Sequence, residues 1–493
     1  MLNLEEITRQ TVDQVTKAIL DGSKDGSLRK ALAVSDGLIG YNLEAPAKQF
    51  VPLMSDFSKS IPVKVRPGSD SMNWKTITAL SSPKMSTTEQ AAGALFATTV
   101  VPKVASYKHI ALRGKVTRAA VAASQGFDNA LAKETSNTLL NGMKLNEQVL
   151  IGGNITALAT PGAPTVVEVE AIAGATIGAS AHFVRIAALT VPAANRLALS
   201  RPANFTATDG VLDGVATAAV DPSADGVTVA GAEGTVTTTG ANNSLRISWT
   251  PVNGAAAYAV FVGVTTGAAN LKCEAIVTQC NITLRSLAAT GQAASALAGT
   301  SADANIFDGI IAQLFAAGSG AYIKNVAAKL SGDDTTGEVT ELQDAFAYIW
   351  DNAKIGKHRV LVAGQEARSL SAKAAVANSM NISVSPESAG RISMTQGGRI
   401  GAVINAQTGD VCPVETLPWM PGGMILILPT EIPYNDANQD TPFDVVAGFD
   451  WERWDYASTS STGPIYEFDV RYWGALRAVF TGGCGVLGNI FKG

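Results

Sequence analysis

Between about Thr160 and Thr300 the chain is poor in charged side chains, rich in Ala, Gly, Val and Thr, and punctuated by the turn signals TPGAP, ATDG, DPSADG, GAEG, VNG and TTG. Short Val- and Thr-rich runs at this spacing do not carry the three-to-four-residue rhythm of an amphipathic helix; they fit the short strands of a β-sandwich. The stretch NNSLRISWTPVNGAAAYAVFVG, beginning at Asn242, reads as two adjacent strands around a turn. Trp249 on the first, with Tyr258, Val260 and Val262 alternating along the second, form its expected core. The chain enters this region at ATPGAPT and leaves it at AGTSADAN, both read as exposed linkers. The sandwich is therefore expected to be an insertion.

The flanks mix helices and strands without a βαβ rhythm, so the predicted class is α+β. Asn3 and Glu6 make a capping-box pattern, and Leu4, Ile7, Val12, Val15 and Ile19 share one helical face. From about Phe50 to Ala111 the pattern turns extended: IPVKVRPGSDSMNWKTITAL, then TTVVPKVASYKHIALRGKVT. Such a strand pair reaches well beyond a compact body and is marginal in water unless something covers it. Gly126 to Asn154 predicts a long helix, weakened at Gly142 and ended by Gly152 and Gly153. Beyond the sandwich, EVTELQDAFAYIWDNAK is a helix and HRVLVAG a buried strand; RIGAVINAQTGDVCPVETLPWMPGGMILILP is three strands, and the tail PIYEFDVRYWGALRAVFTGGCGVLGNI is extended.

At 493 residues the chain needs more than one core. Only 16% of residues are charged against 46% hydrophobic, and apolar surface outside a membrane usually meets other protein. No apolar run reaches the roughly 18 to 20 residues that span a bilayer. Glu5 and Glu6 sit where a secretion signal needs positive charge, so the protein is expected to stay in a cytoplasm or leave it by lysis. A net charge of −5 argues against nucleic-acid binding as the main task, and Lys59, Lys64, Arg66, Lys75 and Lys84 alternate with other residues instead of clustering.

Catalytic groups are scarce. His109 and His358 read as structural or exposed, and no HExxH, GxSxG or P-loop occurs. TQGGRIG, Thr395 to Gly401, is better read as a turn than as a phosphate cradle. The acidic stretches Ser331–Glu338 and Tyr434–Asp440 read as solvated loops. Cys273, Cys280, Cys412 and Cys484 form no metal motif and read as reduced, buried thiols. No enzyme, cofactor or metal is expected. FDWERWDYAS, from Phe449, combines aromatics with charge in the manner of a protein contact, which makes Trp451, Arg453 and Trp454 candidates for meeting a neighbour, together with Trp74 and Tyr107 of the extended region.

The order of these segments resembles the major capsid protein of tailed bacteriophages, the Hong Kong 97 fold. The resemblance rests on VASYKHIALRGKVTRAAV leading into the long helix, AFAYIWDNAKIGKHRVLVAGQEARSL, LPWMPGGMILILP and FDVRYWGALRAVFTGGCGVLGN. It implies an N-terminal arm at 1–48, an extended hairpin or E-loop at 49–112, a spine helix and peripheral domain at 113–158, and an axial domain with return strands at 303–493. Between them, 159–302 resembles the immunoglobulin-like or fibronectin type III insertions that some capsid proteins display outward. The implied function is structural: self-assembly through hexamers and pentamers into an icosahedral head. The implied partners are a separate scaffolding protein, a portal, packaged double-stranded DNA, optionally a decoration protein, and an unidentified host-surface ligand of the insertion, with no membrane. Removing about Thr160 to Thr300 is expected to leave assembly intact. An encapsulin-like nanocompartment shell is the alternative, and a phage adhesin or tail protein a second.

Overall fold

The computed structural model describes residues 9, 12–17, 55–65, 68–83, 85–89, 91–124, 129–170, 172–197, 211–213, 226–331, 338–378, 382–386, 392–396, 400–432, 441–455 and 465–491. The chain divides into a small unit, residues 1–52 and 119–130, and a large one, residues 53–118 and 131–493. In the small unit residues 12–17 are helical, and Thr16 Oγ1 donates to the Val12 carbonyl at 2.7 Å. Asn3, Glu6 and Ile19 of the expected N-terminal helix lie outside the described residues, as do most of the two acidic loops and the centre of TQGGRIG.

The large unit is α+β. It begins with a single helical turn, α1 (Asp56–Ser60), and β1 (Val63–Val65), followed by the hairpin β2 (Ser71–Leu80) and β3 (Thr98–Ser106). β4 (Lys108–Thr117) follows; the next helix in the chain, α2 (Arg118–Ala123), falls almost wholly in the small unit, and the large unit resumes with the 23-residue α3 (Ala130–Gly152), about 35 Å long at 1.5 Å per residue. α3 ends as its glycines predict: Gly153 N–H closes on the Val149 carbonyl at 2.7 Å. A Cβ on Gly153 would lie 2.6 Å from the Phe307 carbonyl, so the returning chain passes closer than any other residue allows. Gly142 has a packing reason of its own. A Cβ there would meet the Trp451 ring at 2.8 Å, so the break in helix propensity makes room for an indole.

The middle of the chain forms β5 (Thr165–Glu170), β6 (Ala181–Leu189), α4 (Val191–Arg196), β7 (Val211–Asp213), β8 (Gly234–Thr237), β9 (Asn243–Ser248), β10 (Ala257–Gly263), β11 (Lys272–Val277) and β12 (Asn281–Ser286). They build two four-stranded sheets, ordered β11-β10-β6-β8 and β5-β9-β12-β7. Val184, Ile186, Tyr258, Val260, Val262, Ala275 and Val277 of the first share one apolar cluster with Leu245, Ile247, Ile282 and Leu284 of the second. The intervening residues of the first sheet are buried as well. Ala187, Leu189, Ala257, Ala259, Phe261, Cys273 and Ile276 belong to a different cluster, which also holds Leu150, Ile151, Phe307, Ile310 and Met424. One sheet thus serves two cores, which is why its strands read as continuous apolar runs.

Most residues of the two linkers, 159–165 and 298–305, are exposed, while the chain on either side of them is tied to the body. Ser301 is buried and its Oγ accepts the Leu158 N–H at 3.2 Å; Asp303 N–H donates to the Asn154 carbonyl, and Gly309 N–H to that of Gly153. Farther along, the buried Cys280 N–H donates to Asn489 Oδ1 at 2.8 Å, and Asn195 Nδ2 to the Trp419 carbonyl at 3.0 Å.

After the sandwich come α5 (Ile310–Phe315), β13 (Tyr322–Asn325), α6 (Thr340–Ala353), β14 (His358–Val362), α7 (Gly364–Asn378), the paired β15 (Ile382–Pro386) and β16 (Ile392–Gln396), then β17 (Ala402–Ile404), β18 (Val411–Thr416) and β19 (Ile425–Pro429). The chain closes with β20 (Phe443–Asp455), β21 (Ile465–Ala478) and β22 (Gly485–Gly488). A mixed six-stranded sheet runs β13-β22-β19-β14-β18-β17, and a four-stranded one β1-β20-β21-β4. α6 contributes Leu342, Ala345, Phe346 and Ile349 to a third apolar cluster with Val360, Val362, Ile425 and Leu487. No helix among the described residues is long and apolar enough to cross a membrane.

Candidate functional site

β2 and β3 pair with each other in register from Ser71 opposite Ser106 to Leu80 opposite Thr98, with an irregularity between Ile77 and Ala79. Among the described strands no third one joins them. Apolar side chains lie open along both strands: Ile77 is 66% exposed, Val104 62% and Leu80 59%, and beyond the strands Leu95 reaches 90%. A two-stranded ribbon with apolar residues in water is not a stable resting place for that much surface.

At its root the hairpin is anchored. Met72 is buried and Trp74 packs against the large core. Tyr107, also buried, donates its N–H to the Asp70 carbonyl at 2.9 Å and meets the Trp473 ring edge-on at 5.4 Å. A cleft of about 1060 Å³ opens beside the root, lined by Trp74, Val101, Lys103, Phe307, Gln313 and Phe480 among others. The buried Trp74 Nε1 makes no hydrogen bond.

The second expected contact region lies on β20. Trp451 packs over Gly142 and against Tyr472, with ring centroids 5.4 Å apart. Arg453 lies 4.7 Å over the Phe468 ring and donates to Asp455 and to Thr135 Oγ1. Trp454 remains 42% exposed under the Arg471 guanidinium, which sits 4.4 Å from its ring. Tyr107 and Trp451 therefore spend their surface within the chain; Trp74 is half-buried, Trp454 is exposed, and Arg453 is engaged locally. Beside them the sequence reading missed an aromatic row built by strand register: His109 on β4 stacks on Trp473 of β21 at 5.3 Å and 2°, and Phe449 of β20 lies 5.7 Å from Trp473. Trp249, Tyr258, Val260 and Val262 sit together in the sandwich interior, and the Val252 N–H donates to the Tyr258 hydroxyl at 2.8 Å.

Buried charge was invisible in the sequence because its partners are remote. Asp444 is fully buried between Arg477, whose Nε donates to it at 2.6 Å and Nη2 to its other oxygen, and Lys64, at 2.9 Å. This cluster ties β1, β20 and β21 together, and removing either cation would leave the carboxylate short of compensation. Glu274 occupies a bulge of β11, where its two oxygens accept the N–H groups of Ala288 and Ala289 at 2.7 Å each and hold Ala289 at φ +55°. Glu366, at the start of α7, accepts the Gly423 N–H at 2.6 Å, while its other oxygen has no partner; burial pushes its carboxyl up to about 7.

His358 is buried, with Nδ1 3.0 Å from the Gly356 carbonyl, and burial pushes its imidazole down. None of the four cysteines forms a disulfide, all are buried, and burial pushes the Cys280 thiol up to about 12. Among the described residues no group of three or more His, Cys, Asp or Glu is placed to hold a metal ion.

No family model matches the chain, and no curated protein does. Among solved structures it is similar to a chain of the capsid of a native GTA particle, with 8% identity and a TM-score of 0.42, over 93% of this chain and 98% of that one. It is similar to a chain of the cyanophage A-1(L) capsid, with 9% identity and a TM-score of 0.44, over 94% and 99%. A third likeness, at 8% identity and a TM-score of 0.36 over 91% and 93%, is to the holo-SrpI encapsulin complex of Synechococcus elongatus PCC 7942.

Proposed function

We propose that the chain is the major shell subunit of a tailed, double-stranded DNA bacteriophage, assembling with copies of itself through hexamers and pentamers into an icosahedral head. The observation that supports this reading is the β2–β3 hairpin, anchored at its root and uncovered along Ile77, Leu80, Val100 and Val104. A chain that places this much apolar surface on an unpaired ribbon is suited to bury it on neighbours repeated around it. In this reading 1–48 is the arm, 49–112 the E-loop, 113–158 the spine and peripheral region, 159–302 an immunoglobulin-like part displayed outward, and 303–493 the axial region with its return strands. A scaffolding protein, a portal, packaged DNA and optionally a decoration protein complete the particle, which is made in the host bacterial cytoplasm and ends as the virion capsid.

Negative-stain electron microscopy of the purified full chain tests the proposal. Uniform hollow particles are the expected result, and monomers under every condition of salt, pH and concentration would overturn it. Particles recovered from the natural host with protein cargo and no DNA would move the reading to a nanocompartment shell.

A further inference from the structure

Glu147 is fully buried on α3 and faces α1, the helical turn at the root of the hairpin. Its Oε2 accepts the Ser58 N–H at 3.4 Å, with the Phe57 N–H a further donor beside it, and its Oε1 has no hydrogen-bond partner. The charged groups that face it, Asp56 and Lys59, both come from α1 and are both exposed. α1 is itself a plug: Phe57 and Ile61 enter the same apolar cluster as Met72 and Tyr107 at the hairpin root. Its far end is held by Arg359, which donates to Ser60 Oγ at 3.0 Å and lies 5.6 Å over the Phe57 ring.

We propose that Glu147 is a proton-operated latch on the root of the β2–β3 hairpin: neutral, it seats α1 against α3, and ionised, it drives α1 off and frees the root to move. The physical cause is a buried carboxylate without a cation bonded to it. Burial, reinforced by Asp56, pushes the Glu147 carboxyl up from 4.5 to about 7, and the two N–H donors with Lys59 offset only part of that rise. The seated state therefore holds the proton more tightly than the open one. As pH rises from 4.5 to about 7 the open state gains up to tenfold per unit, and above 7 both states are ionised and the gain stops. This inference concerns the single chain and does not depend on the shell reading.

Hydrogen exchange of the full chain between pH 5 and 8, corrected for the intrinsic pH dependence of amide exchange, tests it. In the wild type, protection of residues 56–61 should fall by one to two orders of magnitude up to pH 7 and then level off. Glu147→Gln, which cannot ionise, should hold that protection constant. Asp56→Asn, a change to an exposed side chain, should make the fall smaller and end it at lower pH. Wild-type protection that is flat across the range, or the same fall in Glu147→Gln, would overturn the proposal; if Glu147→Gln does not fold, an unchanged profile in Asp56→Asn overturns it.

Discussion

Replacing Phe261 by Ala probes whether the sheet β11-β10-β6-β8 joins two cores or merely separates them. Phe261 is fully buried on β10, on the side that shares its cluster with Leu150 and Ile151 of α3 and Ile310 of α5, while its neighbours Val260 and Val262 face the sandwich interior. Truncating a buried Phe costs about 3 to 5 kcal/mol in lost transfer energy and cavity. Each 1.4 kcal/mol is a factor of ten, so amides that exchange through global opening should lose protection roughly 100- to several-thousand-fold. Hydrogen exchange followed by mass spectrometry separates the regions, with β9 reporting on the sandwich interior and residues 145–152 on the end of α3. Both should lose protection together. A loss confined to β9 and its sandwich neighbours, with 145–152 at wild-type rates, would refute the shared-core argument. The harsher form of the same perturbation, removal of residues 159–302, strips the cover from Leu150, Ile151, Phe307 and Ile310; where the sequence alone suggests that assembly survives it, this shared cluster predicts loss of soluble protein.

Glu366→Gln should gain stability relative to the wild type from pH 5 to pH 8, because a carboxyl raised from 4.5 to about 7 adds stability that is complete below 4.5 and lost as pH rises through 7; the difference in urea stability should swing by up to about 3 kcal/mol, and a difference independent of pH counts against the raised value. Gly142→Ala should destabilise by about 1 to 3 kcal/mol despite the better helix propensity, since the new Cβ meets the Trp451 ring; a higher thermal midpoint would show that the indole yields freely. Asn489 holds φ +53° and accepts the buried Cys280 N–H, so Asn489→Gly keeps the backbone but strands the donor and should cost about 1 to 3 kcal/mol in chemical denaturation, whereas Asn489→Asp should retain most of the stability.

Much of the architecture is legible in the sequence because it rests on local periodicity. The alternation from Met72 to Ile77, the long run ending at Gly152 and Gly153, and the spacing of Leu342, Phe346 and Ile349 each specify an element without reference to the rest of the chain. The sandwich strands are legible for the same reason, and Trp249 beside Tyr258 is an interior pair at 5.5 Å. What stays hidden depends on distant residues. Asp444 meets Lys64 across hundreds of positions, and nothing in PFDVV distinguishes a buried carboxylate from a solvated one. The second buried face of β6 and β10 is concealed by small side chains: Ala187, Ala257 and Ala259 suit a tight interface and an undemanding surface equally well. Gly142 reads as a weak point in a helix until Trp451 is seen to lie over it.

The sheet shared between two cores also fixes direction. A module on a flexible tether samples many orientations, so its copies meet a multivalent target at an effective concentration set by tether length. Here the outer sheet β5-β9-β12-β7 is held to the rest of the chain through a continuous apolar layer and the Cys280 to Asn489 bond, with no swivel between them. Whatever touches Val167 or Arg246 on that outer sheet meets them at one angle relative to α3. In the proposed shell, binding across many copies would then depend on matching a fixed lattice of spacings, and a target with the wrong spacing would gain nothing from their number.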